Sequence, residues 1–432
     1  MVKFPNQKIR SFTRRLYMKE SFLSYVFTLM TGTAISGAIN AAVLPILSRC
    51  YAPDSFGILS IFTGMVSLVA VWAAWRYELA IVLPDQEEDA GALMKLSFAI
   101  VVAMSLVCLV VAVTLGETLT AWFNISYMDF WLILLPISIL LAGLYNVFFY
   151  WCSRNKRFDR IAIAKVFQNI ATLGSQLSAF FLFTVGAGGL ISGYIIGQFA
   201  GVGILATQAK GIQLLNRKSS KLSSIARHYS DFPKFASLGA FLDTAAVQIP
   251  LILLPAIFSP HIGGIYAVTD RLMRIPAGFI GSAVSQVFYQ RLAQFKQNTQ
   301  ERKRLILSTW KYLFLLGLGP MLVIAIFGPL LFTFLLGSNW HETGIFAQIL
   351  TLGFAVHFVA SPTSLGIVAL QRLDILFFWQ LLNFLSMVGV FVVTYFFFRE
   401  NIFVFLWIWT VKEAAIYAIY MVALYRAHKS HA

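Results

Sequence analysis

Two apolar stretches in the second half of the chain contain residues that could bind an ion or an ionic group. Asp243 lies in the first stretch, and Asp270, Arg271 and Arg274 lie in the next one. A charged side chain at the centre of a bilayer costs about 2.5–3.5 kcal/mol, so such residues usually face water or a partner. We interpret the four as lining a hydrated cavity in which the arginines bind an anionic group of a substrate, because guanidinium donates to phosphate oxygens in pairs.

The same residues also fit a purely structural role. Asp243 could neutralise Arg274 from a neighbouring helix, and Asp270 and Arg274 are spaced i,i+4, which places them on one helix face. The two aspartates and two arginines carry no net charge together. The spacing therefore leaves both interpretations open.

Further ionisable residues fall in later apolar stretches. Lys412 and Glu413 are adjacent, and adjacent side chains point about 100° apart on a helix, so each is expected to find a different partner. We favour a role in joining that helix to its own half of the molecule over a role in relaying protons. His357 could titrate near neutral pH, but a lone histidine is more often a hydrogen-bonded packing residue.

Arg76 and Glu78 lie at the end of an early apolar stretch, flanked by Trp75 and Tyr77. Arg76 is interpreted as an anchor that extends to the membrane boundary beside aromatic side chains. The alternative is an inner gate in which Arg76 pairs with an acid of the other half.

The composition places all these residues in a membrane protein. Of the 432 residues, 59% are hydrophobic and 12% are charged, whereas soluble domains carry about 25% charged residues. A spanning helix needs about 20 apolar residues. The sequence therefore predicts an all-α fold of twelve transmembrane helices, over residues 22–47, 56–83, 93–115, 130–151, 161–185, 187–209, 235–258, 263–289, 310–335, 343–370, 374–398 and 401–425.

The basic residues predict the orientation. The net charge of +15 comes from short segments between the apolar stretches, so we expect membrane orientation and not nucleic-acid binding. With twelve spans these segments fall on one side, and only Arg49 and Arg399 fall on the other, which places both termini in the cytoplasm. The predicted parts are a basic arm, a six-helix bundle, a cytoplasmic linker, a second six-helix bundle and a tail, at 1–20, 21–209, 210–234, 235–425 and 426–432.

Two motifs repeat at half the chain length. Tyr51-x-Pro53-x-x-x-Gly57 recurs as Phe258-x-Pro260-x-x-x-Gly264 at an offset of 207, and Arg157-Phe158-Asp159 recurs as Arg372-Leu373-Asp374 at an offset of 215. An even number of helices in each repeat makes the halves parallel, related by a pseudo-two-fold axis along the membrane normal.

The sequence contains no P-loop, no GxSxG motif and no cluster with metal-ligand spacing, so we expect neither an enzyme nor a bound metal or cofactor. Coupling to an H⁺ or Na⁺ gradient is one energy source that the sequence leaves open. Consumption of the product outside is the other.

The chain resembles the polysaccharide-transporter family, which includes the Wzx-type O-antigen flippases of the multidrug/oligosaccharidyl-lipid/polysaccharide exporter superfamily. The resemblance rests on the basic N-terminal arm, the Tyr51-Ala52-Pro53 motif, and the stretches Arg76–Pro84 (RYELAIVLP) and Ser285–Leu292 (SQVFYQRL). It implies alternating access in a bacterial inner membrane and an undecaprenyl-pyrophosphate-linked glycan as substrate. The cavity would be lined mainly by helices 1, 2, 7 and 8, and a polysaccharide polymerase and a chain-length regulator would be partners.

Four alternatives stay open beside this resemblance. A drug or cation antiporter of the same superfamily would need an unpaired buried carboxylate, and helix 1 has none. A murein-precursor flippase usually has fourteen helices. A polytopic polymerase or glycosyltransferase needs a large outer loop. The fourth alternative, a passive channel, is remote.

Overall fold

The computed structural model describes residues 31–122, 125–183, 186–208, 222–295 and 298–428, and this part of the chain is helical without any strand. It contains twelve helices of eighteen or more residues, which we number in chain order. They are α1 (Thr31–Cys50), α2 (Pro53–Ala70), α3 (Glu87–Trp122), α4 (Leu135–Arg154), α5 (Phe158–Phe183), α6 (Gly186–Gln208), α7 (Ser237–Ile257), α8 (Pro260–Gln294), α9 (Thr299–Leu336), α10 (His341–Ala360), α11 (Leu373–Phe397) and α12 (Ile402–Ala427).

Ten of these helices are long and apolar enough to cross a membrane by length and composition alone. The two others are α5 and α8, whose polar and charged residues lower their hydropathy. Large apolar side chains stay exposed on the outer helices, as on α9 at Leu316 and on α11 at Phe396. The predicted fold class, an all-α membrane protein, is confirmed.

The helices pack in two groups that follow the chain. In the first half α3 packs on α4, α5 on α6, and α2 on α4 and α6. In the second half α9 packs on α10, α10 on α12, α7 on α11, and α8 on α7 and α10. The two groups meet where α2 packs against α7 and α8.

The first sequence repeat forms a close backbone contact between the halves. Pro53 and Pro260 each occupy the first turn of a helix, where their missing N–H is not needed. A Cβ atom on Gly57 would lie 1.9 Å from the Pro260 carbonyl oxygen, and a Cβ atom on Gly264 would lie 1.8 Å from the Pro53 carbonyl oxygen. The two copies of the motif therefore contact each other reciprocally.

The second repeat forms the same helix ending twice. Lys156 and Gln371 both have φ of +56°. The amide of the next residue donates to a carbonyl five residues earlier, Arg157 to Cys152 at 2.9 Å and Arg372 to Ile367 at 3.1 Å. This is the Schellman ending, which is usually built on glycine. The repeat therefore encodes one backbone geometry in both halves.

The prediction for helix 2 is wrong at its end. The predicted span runs to residue 83, but α2 ends at Ala70 and turns follow, with a short helix at Tyr77–Ala80. Trp75 and Arg76 both have positive φ, at 49° and 61°, which an α-helix does not accommodate. The apolar composition continues through this break, so hydropathy does not reveal it.

The glycine contact predicts a sharp stability effect. Gly57→Ala or Gly264→Ala forces two backbones apart, and we expect each to lower the free energy of unfolding by about 1–3 kcal/mol or more. Thermal unfolding of the purified protein measures this. Gly174→Ala in α5 is the matched control, because nothing lies within 4 Å of its added Cβ. If Gly57→Ala and Gly264→Ala unfolded at the same temperature as Gly174→Ala, the close backbone contact between the two repeats would be contradicted.

Candidate functional site

Two of the charges predicted on α8 form an ion pair inside the second half. Arg274 Nε donates to both carboxylate oxygens of Asp270, at 2.8 and 2.9 Å. Asp270 is buried, and the Arg274 guanidinium lies over the Phe354 ring of α10, 5.4 Å from its centroid. The structure thus contains the i,i+4 pair that the spacing predicts, and Arg274 is neutralised by its own helix.

Arg271 points to the other half of the molecule. Its guanidinium donates from Nη2 to the side-chain oxygen of Asn40 in α1. Within the described residues no carboxylate lies within 4 Å of Arg271. Of the two predicted arginines, Arg271 is therefore the one with an uncompensated charge.

Asp243 lies on α7 and is exposed. It makes no ion pair with the residues that the structure describes, so it does not neutralise Arg274. Of the four predicted residues, the structure therefore pairs Asp270 with Arg274, and it leaves Asp243 and Arg271 without an ion pair among the described residues.

Lys412 and Glu413 pair with each other, which contradicts the expectation of separate partners. Lys412 Nζ lies 2.9 Å from Glu413 Oε1 and 2.9 Å from Asn383 Oδ1 of α11. It also lies 4.5 Å from the centroid of the Trp409 ring. The flexible lysine stem folds back along the helix, so the 100° between adjacent residues does not separate their charged ends.

His357 lies in the same region of the second half. Its ring centroid is 4.4 Å from that of Tyr417 and 6.2 Å from that of Phe354. Its Nδ1 atom is buried and has no hydrogen-bond partner among the described residues. The ring contacts agree with the predicted packing role of His357, but the described residues provide no hydrogen bond to its Nδ1 atom.

Arg76 and Glu78 form a pair within the first half. Arg76 Nη1 lies 3.8 Å from Glu78 Oε1, and Glu78 is 2% exposed. Oε2 of Glu78 is buried without a partner in the described part of the chain. The gate that would pair Arg76 with an acid of the other half is therefore not formed in this structure.

A polar face of α1 is the feature that sequence reasoning missed. Lys165 Nζ of α5 donates to Thr33 Oγ1 at 3.2 Å, and Asn169 donates to the Ser36 carbonyl and hydroxyl oxygens at 2.6 and 2.7 Å. Asn40, the partner of Arg271, lies one turn further on. Lys165 and Asn169 are an i,i+4 polar pair inside a predicted span, a signal that the sequence does contain.

Polar side-chain contacts also accompany the glycine contact between α2 and α8. His261 Nδ1 lies 3.3 Å from Asp54 of the first half, and His261 Nε2 lies 3.6 Å from Glu342 of the second half. Asp54 and His261 occupy equivalent positions in the two repeats. The two copies of the repeat are thus joined by both backbone and side-chain contacts.

The helical fold and its long apolar helices define a multi-pass membrane protein. Over residues 46–344 the chain matches the sequence model of the family described as "Polysaccharide biosynthesis protein". The chain belongs to this family. It is 20% identical over 254 residues to the teichuronic acid biosynthesis protein TuaB of Bacillus subtilis, a match that covers 57% of this chain and only 50% of that protein's length.

Solved structures show the same fold. The lipid II flippase MurJ, in an inward closed conformation, superposes with a TM-score of 0.71 at 13% identity, covering 93% of this chain and 87% of that one. A multidrug resistance MATE family transporter of the MOP superfamily, inward-facing, superposes with a TM-score of 0.65 at 13% identity, covering 93% and 94% of the two chains. The resemblance stated from the sequence is confirmed.

The Asp270–Arg274 pair predicts a strong non-additivity. Arg274→Ala leaves a buried carboxylate unpaired, and we expect it to lower the free energy of unfolding by about 3 kcal/mol. The double variant Asp270→Ala/Arg274→Ala should lose less than Arg274→Ala alone, because it buries no lone charge.

Denaturation of the four proteins in detergent gives this double-mutant cycle. Arg399→Ala is a suitable control, because Arg399 lies over the Tyr395 ring of α11, 5.3 Å from its centroid, and makes no ion pair among the described residues. If the two single losses simply added in the double variant, the pair would carry no coupling.

Proposed function

We propose that all twelve long helices span the membrane, as two six-helix halves related by a pseudo-two-fold axis along its normal. The halves are residues 21–209 and 235–425, the segment 210–234 links them in the cytoplasm, and both ends are cytoplasmic. The reciprocal contact of the two repeats supports this arrangement. The one-sided distribution of Lys and Arg supports the orientation.

The halves enclose a water-filled space that is closed at the outer end by the α2–α8 contact. Asp243 is exposed and Arg271 is partly exposed, although both lie in the middle of helices. Facing lipid there would cost about 2.5–3.5 kcal/mol for each charge, so these side chains face water. Opening the outer end requires that the contact of Gly57 with Gly264 changes, which gives alternating access.

The substrate that enters this water-filled space is an undecaprenyl-pyrophosphate-linked oligosaccharide. The protein transfers it from the cytoplasmic to the outer leaflet of a bacterial inner membrane. The observation that carries this proposal is the uncompensated charge of Arg271 in a chain of the polysaccharide biosynthesis family. A guanidinium binds phosphate oxygens in pairs. Arg274 and Asp270, already paired, would hold the local geometry, and Asp243 would face the glycan.

The protein moves its substrate without changing it, and is therefore not an enzyme. A polysaccharide polymerase and a chain-length regulator would receive the product. Coupling to H⁺ or Na⁺ would use His357, Lys412 and Glu413 of the second half, of which Lys412 and Glu413 are paired at 2.9 Å. Arg76 and Glu78 would stabilise the inner end of the first half.

A cation antiporter is the second candidate, and one observation favours it. Asp243 is a carboxylate that forms no ion pair among the described residues, which is the feature a cation site requires. The solved structures of the same fold also include a multidrug transporter. This reading predicts export of small cations instead of a glycolipid.

Deletion of the gene in its own host separates the two functions. We expect lipid-linked repeat units to accumulate in the cytoplasmic leaflet and surface polysaccharide to fall, because the diphosphate and glycan cannot cross hydrocarbon unaided. Resistance to cationic dyes should not change. Unchanged polysaccharide with increased dye sensitivity would identify the antiporter.

Complementation with variants tests the role of Arg271. Arg271→Ala removes the uncompensated cation, and we expect translocation to fall about tenfold, as for loss of one charge-assisted hydrogen bond. Lys311→Ala, at an exposed lysine of α9, is the control at matched protein level. Full translocation by both Arg271→Ala and Arg274→Ala would contradict an arginine–substrate contact.

A further inference from the structure

A groove on the surface of the second half lies between α9 and α12, which both pack on α10. Its volume is about 570 Å³, within the range of about 300–1,000 Å³ that small-molecule sites occupy. Leu307 and Val422 at its rim are exposed, so the groove opens to the surroundings of the bundle. The residues that line it are Leu307 and Trp310 of α9 and Ala418, Met421, Val422, Tyr425 and Arg426 of α12.

The apolar wall of this α9–α12 groove is held in place from behind. Trp310 Nε1 donates to Oγ1 of Thr363 at 3.2 Å, and Thr363 is fully buried. The hydroxyl of Tyr420 donates to the Thr363 carbonyl oxygen at 2.8 Å, which fixes this threonine against α12. Because the indole N–H is already bonded, Trp310 offers only apolar surface to the groove. The part of a ligand that lies there must be apolar too.

One end of the groove is cationic. Arg426 lines it, and Nζ of Lys303 lies 5.9 Å from the centroid of the Tyr425 ring, so the lysine reaches across from α9 to α12. Both cations are exposed, and neither forms an ion pair with the residues that the structure describes. An apolar groove that ends at two cations complements a ligand with an apolar chain and an anionic head.

The cationic end of the groove lies at a membrane boundary. Helix α9 has 38 residues and is therefore about 57 Å long, whereas the hydrocarbon of a bilayer is about 30 Å thick. Trp310 and Tyr425 are aromatic residues of the kind that mark the boundary, and the cations lie beyond them. From Arg426 to Ala418 the groove extends about 12 Å toward the middle of α12. It therefore leads from the level of the lipid head groups into the hydrocarbon.

The charge of the groove also selects against other parts of this chain. The longer segments outside the described residues are 1–30, 209–221 and 429–432, and each contains more Lys and Arg than Asp and Glu. Basic segments do not complement a groove that ends at Lys303 and Arg426. An anionic molecule of the bilayer does, and it is present at the right depth.

We propose that the α9–α12 groove binds an anionic glycerophospholipid of the surrounding bilayer. Its phosphate contacts Arg426 and Lys303, since a guanidinium fork matches phosphate oxygens, and one acyl chain lies along Trp310 and Val422. The bound lipid joins the ends of α9 and α12, two helices that both pack on α10. The site lies on the outer surface of one half and does not depend on the substrate proposed above.

Fluorescence quenching in nanodiscs tests the site. The full chain is placed in phosphatidylcholine with increasing fractions of a lipid that carries bromine on its acyl chains, either phosphatidylglycerol or phosphatidylcholine. Bromine quenches a tryptophan that it contacts, and the difference between the wild type and Trp310→Phe isolates the signal of Trp310. We expect brominated phosphatidylglycerol to quench Trp310 at a mole fraction about tenfold lower than brominated phosphatidylcholine, because two cations contact its phosphate.

The variants separate charge from the shape of the groove. Arg426→Gln and Lys303→Gln should each reduce the preference for phosphatidylglycerol about fivefold. Arg304→Gln is the matched control, because Arg304 is an exposed cation at the same depth of α9 that does not line the groove. Ala418→Phe fills the groove and should reduce quenching by both brominated lipids, which tests the site even if a charge variant fails to fold.

Three results would overturn the proposal. Equal quenching of Trp310 by the two brominated lipids would show that lipid contacts the groove without selection. A full preference for phosphatidylglycerol in the double variant Lys303→Gln/Arg426→Gln would place the recognition of anionic lipid elsewhere. Absence of quenching by either lipid would show that protein, from this chain or from a second copy, covers the groove.

Discussion

The structure depends on one constraint, which is that an ionised side chain within a bilayer must have a partner or water. The chain meets it in two ways. Asp270 with Arg274, and Lys412 with Glu413, are paired within the second half. Arg271 contacts Asn40 of the other half and has no ion-pair partner among the described residues. The paired charges therefore stabilise the second half internally, whereas Arg271 is the charge to which the proposed function assigns a ligand.

The two groups of helices meet where α2 packs against α7 and α8. Gly57 and Gly264 lie at this contact, where each glycine admits the backbone of the other repeat at a distance that no side chain allows. The contact of Asp54 with His261 lies at the same place in the repeats. The two copies of one sequence motif therefore hold the two groups of helices together.

The sequence predicted what depends on local pattern and missed what depends on distant contacts. Composition and hydropathy were sufficient for the all-α membrane fold, and helical spacing for the Asp270–Arg274 pair. The offset of 207 predicted equivalent elements, but not that Gly57 and Gly264 touch. Hydropathy did not reveal the end of α2, since the apolar residues continue past Ala70 while the backbone turns. Lys165 was missed because its partner Thr33 is 132 residues away.

The central claim is that water reaches the middle of these helices from one side only. Replacing Asp243 by cysteine in a protein without Cys50, Cys108 and Cys152 allows a membrane-impermeant maleimide to report this, with Leu316→Cys on the lipid-exposed face of α9 as the control. The account predicts that a cysteine at position 243 is labelled in inside-out vesicles but not in intact spheroplasts. A cysteine at position 316 should be labelled in neither preparation. Absence of labelling at 243 from both sides would contradict it.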